Sequence, residues 1–378
     1  MLPFSALSVF SAVRNAGSTN RAILPILTKG LPIAWFCQGW CAVRKLMISL
    51  ALTLFAGCAE QAAPPDAEPE TANPLEKFLA ETQGPEKPEQ QPDFKDPVDL
   101  RQRGNGFYAL GDYDQAIEWY AASLEAKQDA KTYFNRGVCY MSKNELDKAL
   151  ADYDKAIQME PTAASPLINR GLLLQRMGKT AQGINDLTEA LKLDAKDASI
   201  LLNRGLLYLS ISMYDRAITD FTQSLEMNPN YADALINRGY CYHVKKQYPT
   251  AIQDFDKAIE LAPLKALAFS NRGNAYTQVG QYDKALADLD EAVRLEPREA
   301  SHFNNRGSAY GAKDEARKAI ADFGRAIELA PDYAPAFRNR GHAYHALGDS
   351  DKAAADFAFA LEMEPNATEG IPAEYLKK

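Results

Sequence analysis

The stretch AFSNRGNAYTQVGQYDKALADLDEAVRLEP, residues 268–297, contains the pattern that decides the fold. Its tripeptide Asn-Arg-Gly occurs seven times in the chain, and every step between copies is 34 residues. The arginines of the seven copies are Arg136, Arg170, Arg204, Arg238, Arg272, Arg306 and Arg340. Arg103-Gly104 lies 33 residues before the first copy and marks a divergent opening repeat. A constant period of this length indicates stacked structural units that bury their apolar faces against one another.

Each repeat carries two apolar stripes at helical spacing when this arginine is numbered position 7. In the repeat quoted above, positions 4, 8, 11, 20, 24 and 27 are Phe269, Gly273, Tyr276, Ala285, Leu289 and Ala292. The first three share one face of a 3.6-residue helix, and so do the last three. Pro297 at position 32 ends the second helix, and four repeats have glycine at position 15, which suits the turn between helices. These glycines are Gly111, Gly178, Gly280 and Gly348.

The period and these residues resemble the tetratricopeptide repeat family, and the resemblance covers about residues 97–366, or eight repeats. It implies an all-α fold, a right-handed α-solenoid superhelix built from helix-turn-helix repeats. It also implies that the first helices of the repeats line the concave side. Residues 367–378 are short and polar and are expected to form a C-terminal cap or tail.

Composition excludes several classes of protein. Of the 378 residues, 46% are hydrophobic and 24% are charged, which rules out wholesale disorder, collagen and a multi-span membrane protein. The formal net charge is −8, and residues 1–58 hold five basic and no acidic residues. The remainder therefore carries about −13, which argues against nucleic-acid binding. Cys139 and Cys241 are the only cysteines of the repeats, so a disulfide-stapled fold is excluded.

The N-terminal segment reads as an export signal. The apolar run at residues 46–55 follows Arg44-Lys45 and ends in Ala56-Gly57-Cys58, as in a secretory signal. The ending resembles the bacterial lipobox, although Phe55 stands where leucine is usual. This implies that residues 1–57 are a signal peptide and that Cys58 is lipidated; an ordinary signal peptide is the alternative.

Ala59 after the cysteine implies sorting to the outer membrane, facing the periplasm. We hypothesise that residues 1–42 are not translated and that the protein starts near Val43.

Residues 58–96 are predicted to be a disordered tether. Residues 59–97 hold eight prolines and ten acidic residues against three lysines. Such a segment buries too little apolar surface to offset the entropy of ordering it, and proline and like charges extend it. A spacer is the simpler interpretation, and docking of residues 75–80 on a partner or on the repeats is the alternative.

Arginine at position 7 recurs together with aspartate at position 23. The aspartates are Asp152, Asp186, Asp220, Asp254, Asp288, Asp322 and Asp356, and only the first repeat departs, with Trp119. Both positions flank the core of their helices, so we expect an Arg–Asp ladder of partly buried bidentate pairs that fixes the register between helices. Binding of an anionic ligand by the arginines is the alternative. The sequence leaves open whether each pair lies within one repeat or between two.

Position 6 is asparagine in seven repeats: Asn135, Asn169, Asn203, Asn237, Asn271, Asn305 and Asn339. The side-chain amide both donates and accepts hydrogen bonds, so a row of them bordering the groove is predicted to pair with the backbone of an extended peptide. The row resembles the asparagine ladder in the repeats of O-linked N-acetylglucosamine transferase. The alternative, capping or bridging of neighbouring helices, stays open.

The other groove positions divide the array into two halves. Repeats two to five present Phe134, Val138, Met141, Ile168, Leu172, Leu202, Leu206, Leu209, Ile236, Tyr240 and Val244. Repeats six to eight present Ser270, Asn274, Thr277, Gln278, Asn304, Ser308, Arg338, His342 and His345. Because exposed apolar patches usually mark partner sites, we expect a partner segment to bind in repeats two to five. Burial of some of these residues between repeats is the alternative.

No motif for catalysis, a cofactor or a metal is found in the sequence. His342 and His345 lie three residues apart, but two ligands do not make a metal site. The leading hypothesis is a lipid-anchored periplasmic scaffold, not an enzyme, that binds a protein or extended peptide and supports assembly of an envelope complex. The alternative is a sensor or carrier that binds a small molecule or glycan in the polar C-terminal half.

Overall fold

The computed structural model describes residues 96–368 and 370–376. The predicted signal segment, Cys58 and the tether before residue 96 lie outside the described residues. The described part consists of sixteen α-helices and one 3₁₀ turn, Ala373–Tyr375, with no strand. The helices are α1 Pro97–Ala109, α2 Tyr113–Ala126, α3 Ala130–Ser142, α4 Leu146–Met159, α5 Ala164–Arg176, α6 Thr180–Leu193, α7 Ala198–Ser210, α8 Tyr214–Met227, α9 Ala232–Val244, α10 Tyr248–Leu261, α11 Ala266–Gln278, α12 Tyr282–Leu295, α13 Ala300–Ala312, α14 Ala316–Leu329, α15 Ala334–Ala346 and α16 Ser350–Met363. The predicted all-α solenoid of eight helix pairs is confirmed.

The two helices of each repeat approach closely because glycine at position 8 faces a large side chain at position 24. In repeat four, a Cβ added to Gly205 would lie 2.5 Å from the ring of Phe221. The same arrangement places Gly239 against Phe255 in repeat five. The missing side chain therefore sets the distance between the helices, and the aromatic ring fills the space between them.

The turn between the two helices of a repeat requires a left-handed residue at position 15. In four repeats glycine supplies it, with φ between 76° and 78° at the glycines predicted for this role. In the other four, Asn144, Ser212, Lys246 and Asp314 adopt φ between 60° and 65°. The backbone geometry is therefore constant over all eight repeats, although only half of them have the residue that adopts it without steric cost.

Successive repeats join through a recurring core contact. Position 10 of a first helix packs on positions 20 and 24 of the preceding repeat, as Ala275 does on Ala251 and Phe255. Cys139 and Cys241 occupy position 10 and are fully buried there, as small core residues. First helices of consecutive repeats also contact each other directly, as α11 contacts α13. The first helices therefore lie side by side and form one continuous wall.

The two ends of the repeat array are finished differently from its interior. Ile371 is buried against Ala353 and Phe357, where position 10 of a further repeat would pack. The ring of Tyr375 lies 5.0 Å from that of Phe357 and completes this cover. At the other end, position 10 of α1 is Gly106, which is exposed. Residues 370–376 thus form the C-terminal cap of the described array.

Within the ranges that the structure describes, none of the helices combines the length and apolar character needed to cross a membrane.

Candidate functional site

The Arg–Asp ladder is formed within repeats. In each of repeats two to eight, Nε and Nη2 of the position-7 arginine donate to the two carboxylate oxygens of position 23, at 2.7–2.9 Å. The pairs are Arg136–Asp152, Arg170–Asp186, Arg204–Asp220, Arg238–Asp254, Arg272–Asp288, Arg306–Asp322 and Arg340–Asp356. The bidentate geometry aligns the first and second helices of one repeat.

The third donor of these arginines reaches back to the preceding repeat. Nη1 of Arg170, Arg272 and Arg306 donates to the carboxylate at position 25 of the previous second helix, at 2.6–2.8 Å. In two further repeats Nη1 donates to a threonine hydroxyl at 3.2 Å. The acceptors are Asp154, Asp256, Asp290, Thr188 and Thr222. Sequence reasoning missed position 25, although the recurrence of aspartate and threonine there was a usable signal.

The surroundings of the ladder keep its arginines charged and hold them in place through hydrogen bonds and aromatic contacts. Hydrogen bonds that Arg272 donates to Asp288 and Asp256 raise its pKa, against the opposing effect of burial. The same guanidinium lies 5.8 Å from the ring of Phe269 and 5.9 Å from that of Tyr276. In repeat one Arg103 instead lies 5.1 Å from the ring of Trp119. The ladder therefore joins helices, and in repeats three to seven Nε, Nη1 and Nη2 of each arginine all donate to the protein.

The asparagine row divides into two groups. Three of its amides bridge to the preceding first helix: Asn135 donates to Asn105 at 2.9 Å, Asn305 to Ser270 at 3.0 Å, and Asn339 to Asn304 at 2.9 Å. In each case the acceptor is at position 5 or 9 of the preceding repeat. For these three, the bridging alternative describes the structure.

The other four asparagines follow repeats whose positions 5 and 9 are both apolar. Asn237 turns to its own helix and donates to the carbonyl of Asp233 at 2.8 Å. In the described part of the chain, the side chains of Asn169, Asn203 and Asn271 make no hydrogen bond to protein. Positions 5 and 9 of the preceding helix offer Asn169 and Asn203 only carbon atoms, and both residues are partly exposed, so their amides remain available to a ligand. Asn271 is buried at 5% exposure.

The apolar residues proposed to line the groove are not all exposed. Phe134, Val138, Met141, Ile168, Leu172, Leu206 and Tyr240 are partly exposed, as is Val244. Leu202 and Ile236 are buried, at 8% and 2% exposure, and Leu209 is buried with them. They belong to the same core cluster as Leu225. The expectation that Leu202, Leu209 and Ile236 line the open wall is therefore wrong: they pack inside the array and stabilise it.

The C-terminal half of the wall is polar. Ser270 and Asn304 at position 5 are buried, and Oδ1 of the buried Asn339 has no hydrogen-bond partner. Burial lowers the pKa of His342 to about 4 and holds the ring neutral. His345 Nδ1 lies 3.1 Å from the hydroxyl of Tyr375 in the C-terminal cap. Within residues 96–368 and 370–376, no group of three or more potential metal ligands occurs.

Comparison with known families agrees with this geometry. Models described as "Tetratricopeptide repeat" match residues 103–129, 130–163, 168–212, 198–231, 232–263, 266–299, 303–333 and 334–367. The chain belongs to the tetratricopeptide repeat family. Repeats of this family generally serve as non-catalytic scaffolds.

Curated relatives share only short stretches with this tetratricopeptide repeat protein. Protein unc-45 homolog B of Xenopus tropicalis is 35% identical over 71 residues, which is 18% of this chain and 8% of that protein. Mitochondrial import receptor subunit TOM70 of Saccharomyces cerevisiae is 35% identical over 69 residues, 18% of this chain and 11% of that protein. The chain thus spans about a tenth of the length of these relatives.

Two solved structures extend the similarity of fold. A tetratricopeptide repeat protein from Parabacteroides merdae superposes with a TM-score of 0.56 at 26% identity, over 63% of this chain and 94% of that one. A chain of the APC/C hetero-tetramer Cut9-Hcn1 gives a TM-score of 0.55 at 14% identity, over 78% of this chain and 56% of that one. The second shows the fold alone.

Proposed function

We propose that this protein is a scaffold that binds an extended segment of a partner protein along the first helices of repeats two to five. One observation carries the proposal: the unpaired amides of Asn169 and Asn203 lie on the same helices as the partly exposed Ile168, Leu172 and Leu206. This combination of free amides and apolar surface occurs where the preceding repeats are apolar. It is absent in repeats seven and eight, whose asparagines are engaged.

The chemistry of this wall suits a peptide rather than a folded surface. A side-chain amide can accept from a backbone N–H and donate to a backbone carbonyl, so it binds the main chain of an extended segment without selecting its side chains. The neighbouring leucines then bind the apolar side chains of that segment. The Arg–Asp ladder holds the helices in register before the partner arrives, which reduces the entropy lost on binding.

The test is capture of the native partner by crosslinking and pull-down from the cell envelope. The variant Leu172→Ser with Leu206→Ser removes apolar surface at position 9, and we expect it to lose most of the captured partner. Asn274→Ser, at position 9 in the polar half, is the matched control and is expected to retain it. Equal capture by both variants would refute this placement of the site.

We further propose that the scaffold is held at the outer membrane, on its periplasmic side, by a lipid on Cys58, and that it supports assembly of an envelope complex. The support is the sequence pattern before Cys58 and the proline-rich, acidic composition of the residues after it. Metabolic labelling with palmitate should mark the protein, and Cys58→Ala should abolish the label and release the chain from the membrane fraction. Retention of label in Cys58→Ala would contradict the anchor.

A second candidate function, binding of a small polar ligand such as a glycan fragment, is favoured by the polar half. Its supporting observation is the buried Oδ1 of Asn339, which lacks a donor beside Asn304 and Ser308. Calorimetric titration of the full chain with N-acetylglucosamine oligomers tests it. Saturable binding that Asn339→Ala removes would support this function, and its absence would leave the polar half with a structural role.

A further inference from the structure

The unpaired amides of Asn169 and Asn203 lie one repeat apart in the groove, and this spacing restricts the partner. We infer that the bound segment is uncharged, adopts a polyproline-II-like extended conformation, and presents an apolar side chain at every third residue. The inference rests on the proposed function and specifies the partner of the same site. It starts from Asn169 and Asn203, which occupy equivalent positions on adjacent first helices.

The period follows from the packing of the first helices. Helices in contact are separated by about 8–10 Å, so successive amides and successive position-9 side chains recur at about that distance. Three residues of polyproline II advance about 9.3 Å. Two residues of a β-strand advance only about 6.6 Å and four about 13 Å. A polyproline-II segment therefore keeps step with Leu172, Leu206 and Tyr240, whereas a β-strand falls out of register.

An α-helical partner matches the spacing but not the chemistry. Seven residues of an α-helix advance about 10.5 Å, close to one repeat. Its backbone N–H and C=O groups, however, are hydrogen-bonded within the helix and cannot pair with the amides of Asn169 and Asn203. Polyproline II leaves its backbone groups free. The unpaired amides thus favour the extended segment.

The floor of the groove carries no free charge in repeats three to five. At positions 5, 6, 9 and 12 the residues are apolar or uncharged, and burial lowers the pKa of His243 to about 4, which keeps it neutral at physiological pH. At the rim, Arg176 donates to the carbonyl of Met141 at 3.2 Å and to Asn144 at 2.7 Å. Asp233 is paired with Lys265. A charged side chain of the partner would lose water here without gaining a counter-ion.

The experiment uses three synthetic dodecapeptides with blocked ends, titrated into the full chain and followed by fluorescence anisotropy. The first repeats Leu-Pro-Gln four times, which places leucine at every third residue. The second has the same composition with its four leucines at alternate positions. The third replaces glutamine by glutamate throughout. We expect the first peptide to bind at least tenfold more tightly than either of the others.

The variant Asn169→Ala with Asn203→Ala should weaken binding of the first peptide by about tenfold, and Asn274→Ser should leave it unchanged. Unaltered thermal melting of both variants excludes a folding defect. Equal binding of the first two peptides, tighter binding of either of the others, or no binding of any would overturn the inference. The proposed function fails separately, if Leu172→Ser with Leu206→Ser still captures the native partner.

Discussion

Repeats three and four share one scaffold with repeats seven and eight but use their position-6 asparagines in opposite ways. In repeats seven and eight, Asn305 and Asn339 are hydrogen-bonded to the preceding first helix. In repeats three and four, Asn169 and Asn203 have no such acceptor, because positions 5 and 9 of the preceding repeats are apolar. The same residue at the same position is thus structural in repeats seven and eight and available in repeats three and four.

This difference shows that the role of a repeated residue is decided by its neighbour in the preceding repeat. The Arg–Asp ladder runs through both halves with nearly constant geometry. The groove surface can therefore vary between repeats without altering the helix packing that supports it. Variation at positions 5 and 9 then switches each asparagine between the two roles.

The largest expected effect comes from breaking the scaffold common to both halves. Arg204→Met leaves Asp220 buried without its partner, and we expect the free energy of unfolding to fall by about 3 to 5 kcal/mol. Arg340→Met should cost somewhat less, because Arg340 lacks the third bond that Arg204 makes to Thr188. Urea unfolding measures both. A loss below about 1 kcal/mol for Arg204→Met would show that the ladder is not a stabilising element.

The next largest effect is a pH dependence of stability that arises from buried His243. His243 is 6% exposed, and burial lowers its pKa from 6.5 to about 4. As the pH falls, the unfolded chain therefore takes up a proton at His243 before the folded protein does. The free energy of unfolding is at its full value above pH 6.5 and falls by about 3 kcal/mol as the pH approaches 4. His243→Phe should flatten this part of the stability profile. An equally steep pH profile in His243→Phe would contradict this assignment.

Alanine replacements at position 6 test the comparison directly. Asn339→Ala leaves the buried acceptor of Asn304 unpaired and should lower stability by about 1 to 2 kcal/mol. Asn203→Ala removes an amide with no protein partner and should change stability by less than about 0.5 kcal/mol. Thermal unfolding of the two variants decides the matter. Equal losses would mean that Asn203 is held by contacts the two halves share.

The smallest expected effect concerns the turns. The N-terminal half has three of the four non-glycine residues at position 15, and Lys246 adopts φ 61° there. Lys246→Gly should raise the unfolding free energy by about 0.5 to 1 kcal/mol, because glycine adopts this conformation without strain. Lys246→Ala removes the lysine charge but keeps a Cβ in the left-handed conformation, so it should not raise the unfolding free energy. Stabilisation by alanine equal to that by glycine would contradict the strain argument.

Much of this fold could be read from the sequence because the information repeats. The 34-residue period placed every helix pair, and the joint recurrence of Arg204 with Asp220 and their equivalents pointed to a pair. Whether the partners belong to one repeat was not readable, since each repeat contains both residues. The burial of Leu202 and Ile236 depends on how closely neighbouring first helices pack, which is a tertiary property.

The split of the asparagine row was readable in principle. Ser270 and Asn304 precede the engaged asparagines, and Ile168 and Leu172 precede an unpaired one. Comparing position 6 of one repeat with positions 5 and 9 of the repeat before it identifies both groups. The left-handed turns at Ser212 and Lys246 could not be predicted from residue type, because serine and lysine have no preference for positive φ. Alignment of the repeats nevertheless places both residues at the turn position.

The third bond of the ladder arginines occurs at five interior junctions, and the two outermost junctions lack its acceptor. Position 25 is Ala121 at the first junction and Gly324 at the last, and neither offers a side-chain oxygen. Coupling between adjacent repeats is thus weakest at the two ends of the array, where the terminal repeats have a neighbour on one side only. Hydrogen exchange should then reveal terminal fraying around a central cooperative block. That block contains the unpaired amides of Asn169 and Asn203. Fraying of the terminal repeats would therefore leave the ligand-binding repeats folded.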